Sequence, residues 1–325
     1  MLRCCYANLL CCSYSSPMLA FQRDTLEPRY DESEHDAHRN STQVADIPEA
    51  MQMISHPISL RSMIRGAVVN RGLILQLAKR DLLGRYRGSF LGLTWSILQP
   101  LFMLMIYTFV FGVIFKAHWV AGEQLPTSGF ALVLFAGLTT FTLFAECVNR
   151  SPALIVNHPN YVKKVVFPLE VLPWVTAGSA AFHALASLAV LVLASLYVRG
   201  SVPWTIILVP LIWLPLLILA IGVGWFLAAT GVYFRDIGQI TIFFTQALLF
   251  LSPVFYPSQA VPAPYQALLL ANPISFIVDQ VRTVAIWGQE PNWIGLLAYS
   301  MGAILVTWLG YAWFQKVRKG FADVL

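Results

Sequence analysis

Three sets of polar residues stand out in a chain that is 58% hydrophobic and only 11% charged. The first is Arg85-Tyr86-Arg87, two guanidinium groups flanking a phenol. That pattern can hold a phosphate through charge-assisted hydrogen bonds or anchor the chain at a membrane surface. The second is His183 in "SAAFHALASL", an imidazole inside an apolar run. A histidine there serves a proton relay or bonds, neutral, to a neighbouring helix. The run holds no acid, which favours the second reading. The third is "NHPNYVKKVVFPLEVLP", Asn157 to Pro173, with three prolines, two adjacent lysines and a glutamate between two apolar runs.

Catalytic chemistry finds no support. The chain lacks a G-x-x-x-x-G-K-[ST] phosphate loop, a G-x-S-x-G elbow and an H-E-x-x-H zinc pair. Glu146, Glu170 and Asp236 fall at the ends of apolar runs and read as boundary charges rather than a buried acid/base pair. Cys4, Cys5, Cys11 and Cys12 crowd the beginning and Cys147 ends an apolar run, without the further Cys or His partners that zinc needs, so no metal is expected.

The elements that position these residues are membrane spans. Soluble domains carry about 25% charged residues, far more than this chain. A span needs about 20 mostly apolar residues to cross a hydrocarbon core of roughly 30 Å. Six segments qualify: Thr94 to Phe115, Phe130 to Val148, Leu169 to Val198, Trp204 to Val232, Ile237 to Tyr256 and Trp293 to Phe314. Tyr265 to Trp287 is apolar too, but Asn272-Pro273, Asp279 and Arg282 interrupt it, so two short half-helices forming a re-entrant hairpin are expected. Asp279 and Arg282, three apart, are expected to pair.

Residues 1–60 hold four Arg against eight acids, with an opening that is too short and broken in its apolar core for a signal peptide. They read as a disordered extension, and Met51 and Met53 offer downstream starts. Residues 61–93 form a basic segment in which "RGLILQLAKRDLLGRYRGS" sets Leu75, Ala78, Leu82 and Tyr86 at helical spacing, with Arg80 and Arg87 on another side. An amphipathic helix lying on the membrane surface is expected there. Residues 94–325 form the transmembrane domain.

Lys and Arg in short loops stay cytoplasmic. One side carries Arg61, Arg65, Arg71, Lys79, Arg80, Arg85, Arg87, Arg150, Lys163, Lys164, Arg235, Lys316, Arg318 and Lys319; the other carries Lys116, Arg199 and Arg282. Both termini are therefore expected in the cytoplasm. On that side lies the loop between spans two and three. Ser151-Pro152 is a plausible helix start, Ala153, Leu154, Ile155 and Val156 give an apolar turn, and His158-Pro159 halts it. Such a helix has nothing in its own chain to bury against, so it calls for a partner.

"RDLLGRYRGSFLGLTWSILQPLFMLMIYTFVFGVIF", "NHPNYVKKVVFPLEVLP", "GVYFRDI" and "PVFYPSQAVPAPYQALLLANPISFIVDQVR", in that order from about Leu77 onward, resemble the membrane subunits of ABC-2 type exporters of polysaccharides. These include O-antigen, capsule and teichoic-acid permeases. The resemblance implies an all-α homodimer of six-span subunits joined to two copies of a separate ATP-binding subunit that carries ATP and magnesium. It implies a coupling helix for the ATPase at Ser151, Pro152, Ala153, Leu154, Ile155, Val156, Asn157, His158, Pro159, Asn160 and Tyr161, with Lys163 and Lys164 just beyond. Its cargo is a glycan on an undecaprenyl diphosphate carrier, whose diphosphate Arg85, Tyr86 and Arg87 would meet. Sugars pack their C–H faces on aromatic rings, and the candidate rings are Tyr107, Phe111, Phe141, Phe144, Tyr233, Phe243, Phe244, Phe255 and Tyr256. Two other readings stand beside it: an ABC-2 permease for a drug or lipid, and an integral-membrane sugar or acyl transferase. A transferase would gather acidic or His residues at one face, and the sequence shows no such cluster.

Overall fold

The computed structural model describes residues 59–115, 127–163 and 167–324. The N-terminal extension with its four cysteines, Lys116 and Lys164 lie outside the described residues. Every element among the described residues is helical. In chain order these are α1 (Leu60–Val69), α2 (Arg71–Tyr86), α3 (Trp95–Tyr107, continued by a π-helical stretch Thr108–Ile114), α4 (Thr127–Arg150), α5 (Pro159–Lys163), α6 (Leu172–Arg199), α7 (Val209–Tyr233), α8 (Ile237–Leu251), α9 (Gln266–Ala271), α10 (Pro273–Ala285), α11 (Trp293–Val317) and α12 (Phe321–Val324).

Five helical runs are long and apolar enough to cross a membrane: Gly92–Ile114, Gly129–Ala153, Leu169–Arg199, Trp204–Tyr233 and Trp293–Gly320. They match five of the six expected spans. The remaining one is shorter than expected. α8 stops at Leu251, with Ser252 as its cap and Pro253 next, because the residue before a proline is pushed out of the helical region. Its 15 residues reach about 22 Å at 1.5 Å per residue.

The fold is built around α4. Of its span, 78% is buried, against 11% for α3, and α6, α7, α8 and α10 all pack on it. Phe130 to Ala136 are almost wholly shielded. α7 and α11 cross most closely, where a Cβ on Gly310 would run into the Gly222 carbonyl and one on Gly222 into the Thr307 backbone. Without water to drive helices together, such close backbone contact is what packing in a membrane rests on. Thr307 reinforces the crossing by donating its hydroxyl to the Ile218 carbonyl at 2.7 Å.

The interrupted segment forms two short helices, α9 and α10, parted at Asn272. The Asn272 side chain accepts from the Ile274 amide at 3.0 Å and donates to Ser252 Oγ at 2.8 Å, while Pro273 occupies the first turn, where its missing N–H costs nothing. Arg282 on α10 is 1% exposed. It donates to the carbonyls of Val133 (3.2 Å), Pro253 (2.5 Å) and Val254 (2.6 Å) and lies 3.6 Å from Asp279. Gly137 makes room for it, since a Cβ there would sit 2.7 Å from Arg282 Nη2. α10 is thus fastened to the Thr127 half of α4, and the loop that follows Arg150 leaves from the opposite end.

Candidate functional site

At the Arg150 end, the loop departs from expectation in two ways. Ser151 and Pro152 do open a short 3-10 helix, Ser151–Ala153, and the chain breaks at His158 as expected, but that helix directly continues α4, and a further helix, α5, begins at Pro159. Proline explains the shift, because it fits the first turn of a helix as readily as it ends one. The loop also has much to bury against in its own chain. Ser151, Pro152, Leu154 and Ile155 are all shielded, Ile155 to 1%. Ser151 donates to the Cys147 carbonyl at 2.7 Å. Gly224 and Gly231 of α7 leave space for Ser151 and for the Pro152 carbonyl. The outward surface is narrower than the apolar run implied. It consists of Ala153, Asn157 and Asn160, which are exposed, flanked by half-buried Val156, His158, Pro159 and Tyr161.

Aromatic stacking holds this surface in place. The Tyr161 ring lies 4.2 Å from Phe167 and 5.2 Å from His158, nearly parallel to both, and His158 Nδ1 is 2.9 Å from the Leu154 carbonyl. The Tyr161 hydroxyl accepts from Arg80 of α2. The loop's return is also tied down: Arg318 donates to Glu170 at 2.7 Å and to the Phe167 carbonyl at 3.2 Å, and Trp225 donates to the Glu170 carbonyl.

α2 lies against α6, with Ala78 close to Gly178. A helix forms where one was expected; Leu75 of its apolar set is 69% exposed, while its contact with the other helices runs through Ala78, Asp81, Arg85 and Tyr86. α2 carries Asp81 and Arg85 at i, i+4, and α4 carries Glu146 and Arg150 at the same spacing. The fold crosses them. Arg150 donates to both Asp81 oxygens, at 2.6 and 2.8 Å, and Arg85 donates to Glu146 at 2.5 Å. Ser179 adds a bond to Asp81 at 2.7 Å. Burial pushes the Asp81 carboxyl up, but the bonds from Arg150 and Ser179 and the charges of Arg150 and Arg85 outweigh it and hold it below its usual value of 3.8.

His183 completes this clamp. Its Nδ1 lies 3.0 Å from Glu146 Oε2 and its Nε2 3.1 Å from the Tyr86 hydroxyl. A neutral ring with its hydrogen on Nδ1 satisfies both, donating to the carboxylate and accepting from the phenol. The bonding to neighbouring helices agrees with the sequence reading. The acid, missing from the histidine's own run, comes from α4. Glu146 is therefore no boundary charge but a partner of Arg85 and His183, with 14% of its side chain exposed. The clustering of Asp81, Glu146 and His183 was invisible in the sequence. Its only trace there was the pair of acid-to-arginine i, i+4 spacings.

Two cavities adjoin the clamp. One of about 490 Å³ is lined by Arg80, Asp81, Arg150, His158 and Tyr161, between α2 and the loop. The other, about 290 Å³, is lined by Arg85, Tyr86, Gln99, Tyr107, Glu146 and His183. Arg87 caps the end of α2, exposed and without an ion pair among the described residues. The candidate rings divide. Phe111 and Phe255 come together at 6.4 Å, joined by Phe115, Phe130 and Phe250, which sequence reading did not single out. Phe141 and Phe144 are buried core, Tyr107 lines the second cavity, and Phe243 and Phe244 are exposed on α8. Tyr233 donates to the Val317 carbonyl and Tyr256 to that of Phe250.

Residues 72–286 match the ABC-2 type transporter family. The chain is 26% identical over 263 residues to the O-antigen export system permease protein RfbA of Myxococcus xanthus, covering 80% of this chain and 98% of that one. It is 27% identical over 259 residues to the RfbA permease of Klebsiella pneumoniae, covering 78% and 95%. To the polysialic acid transport protein KpsM of Escherichia coli it is 25% identical over 255 residues, covering 77% and 95%. The multi-pass helical architecture and the two-thirds of the chain that match lead to one conclusion: this protein belongs to the ABC-2 type transporter family of membrane permeases.

Proposed function

We propose that the chain is the membrane subunit of an ATP-driven exporter that moves a lipid-linked polysaccharide, of the O-antigen or capsular kind, across the bacterial inner membrane. The observation that carries this reading is the similarity, over nearly their whole length, to permeases named for O-antigen export and polysialic acid transport. The carrier is undecaprenyl diphosphate, the working unit a homodimer with two copies of an ATP-binding subunit, and both termini are cytoplasmic. This permease performs no hydrolysis itself; ATP and magnesium sit on the partner.

In this reading the ATP-binding subunit docks on Ala153, Asn157 and Asn160, and Lys163 and Lys164, next in sequence, supply positive charge. Ile155, buried in the core, and Pro152, whose carbonyl lies against Gly231 of α7, carry its movement into the spans. ATP drives export only if the partner binds the two states of the permease unequally. Arg87 makes the first contact with the carrier diphosphate, because Arg85 is already paired with Glu146. The Phe111–Phe255 ring cluster offers a stacking surface for the glycan.

Deleting the gene and restoring it with wild type should abolish and recover surface glycan. Asn157→Trp with Asn160→Trp should insert normally yet lose glycan-stimulated ATP hydrolysis, because bulky rings prevent seating on the partner. Normal surface glycan in the deletion strain would refute the export reading. A drug or lipid permease would instead show retained glycan with altered toxicant resistance or lipid composition.

A further inference from the structure

A cavity of about 580 Å³ lies at the other end of the molecule from the clamp. Its walls are Ser258 and Gln259 from the turn after α8, Gln266 from α9, Phe276 and Asp279 from α10, and Tyr299 from α11. We propose that this cavity binds a neutral saccharide unit, an inference that rests on the glycan-export reading above.

Four features point to that ligand. The size falls within the range of small-molecule sites, roughly 300–1,000 Å³. One wall is a ring platform: Phe276 stacks on Tyr299 with centroids 5.9 Å apart and planes 23° from parallel. Gly295 permits it, because a Cβ there would lie 2.7 Å from the Phe276 ring. Sugars offer such rings a C–H face.

The opposing groups are hydroxyls and amides, which both donate and accept, as sugar hydroxyls do. The Ser275 and Tyr299 hydroxyls in the ring wall are shielded and without a partner among the described residues. A ligand hydroxyl seated at that wall would supply one.

The fourth feature is the charge balance. Asp279 accepts from Ser258 at 3.0 Å and lies 3.6 Å from Arg282, so it presents an acceptor whose charge that guanidinium partly offsets. Arg282 is committed to three backbone carbonyls and 1% exposed, so the cavity offers no cation to a phosphate. A phosphate-bearing headgroup therefore finds no counter-charge, and an amine finds its carboxylate already engaged. A neutral polyol satisfies every wall. Placed at the end away from the nucleotide-driven loop, the site would hold glycan after it has passed α4.

Saturation-transfer NMR on the full chain in nanodiscs, with methyl glycosides of neutral hexoses and N-acetylhexosamines, tests this. Transfer to the C–H protons of at least one glycoside is expected at concentrations up to about 50 mM, where even a millimolar site is filled. Tyr299→Phe and Gln259→Ala should each weaken it about threefold to tenfold, the loss of one hydrogen bond. Tyr299→Phe removes a hydroxyl with no partner in this chain, so its melting temperature should hold or rise, which separates lost binding from misfolding.

Absence of transfer from every glycoside, or transfer indifferent to both variants, would overturn the proposal. So would binding of glycerophosphate or phosphocholine in place of the sugars, which would make this a lipid-headgroup site. Loss of surface glycan on gene deletion without glycoside binding sinks the cavity alone, whereas glycan retained on deletion sinks the export reading.

Discussion

Arg150 and Arg282 sit at opposite ends of α4's packing and are used in opposite ways. Arg282 is sealed in and aims its nitrogens at three main-chain carbonyls. Arg150 keeps 29% of its side chain exposed and binds a carboxylate on a different helix, within a crossed set of pairs. Carbonyls freed by a moving backbone would be orphaned in an apolar surrounding, so the Arg282 end is built to stay closed. The ion pairs of the Arg150 end border water and can exchange partners within their own helices at i, i+4, as the 3.8 Å approach of Arg150 to Glu146 illustrates. The difference makes the Arg282 end the more firmly held of the two.

The largest expected effect is at the Arg282 end. Arg282→Gln strands up to three carbonyls and should cost about 3–5 kcal/mol, seen as loss of a monodisperse peak after mild heating in detergent. A loss below about 1 kcal/mol would remove the contrast between the two ends. Gly137→Ala intrudes on the same guanidinium and should cost about 1–3 kcal/mol in that assay. Gly302→Ala, on α11 with open space around it, should leave the melting temperature unchanged.

At the clamp the effects should be smaller and local. Glu146→Gln removes the carboxylate shared by Arg85 and His183 and should cost about 1–2 kcal/mol, with faster hydrogen exchange in α2 but not in α10. If α10 loosened equally, the two ends would not be independent.

The smallest effect is one of pH. The Asp81 carboxyl is held below 3.8 in the folded protein, so its contribution is complete above that value and is lost as pH falls through the lowered one. Protection of the α2 amides, corrected for the intrinsic pH dependence of exchange, should therefore fall as pH drops below about 4 in wild type, and this fall should be smaller in Asp81→Asn. An identical profile in the variant would show that Asp81 is not the titrating group.

The fold also dictates which loop variants are informative. Excising Ala153 to Val156 would remove Ile155 from the core, so a lost activity would report misfolding. Point changes at Ala153, Asn157 and Asn160 touch only the outward surface. Pro173, in the first turn of α6, and Ser151, at the start of the loop, both lie against Gly224 of α7.

Features that depend on local composition were legible along the chain. Apolar length located the long helices, and the interruption at Asn272-Pro273 placed the break between α9 and α10, because a proline starts a helix more easily than it continues one. The motifs that carry the family resemblance were equally local. Only the tertiary structure decided which ionisable groups meet. Asp81 and Arg150 are 69 positions apart, and Glu146 and His183 are 37 apart. Their pairing follows from how α2 and α6 lie against α4, which spacing along one helix cannot encode. The same holds for the loop. The loop looked unpartnered because Gly224 and Gly231, the glycines that make room for Ser151 and the Pro152 carbonyl at its start, lie more than 70 residues further on. Burial is a property of the assembled core, and a run of four apolar residues cannot state whether it faces a partner or its own chain.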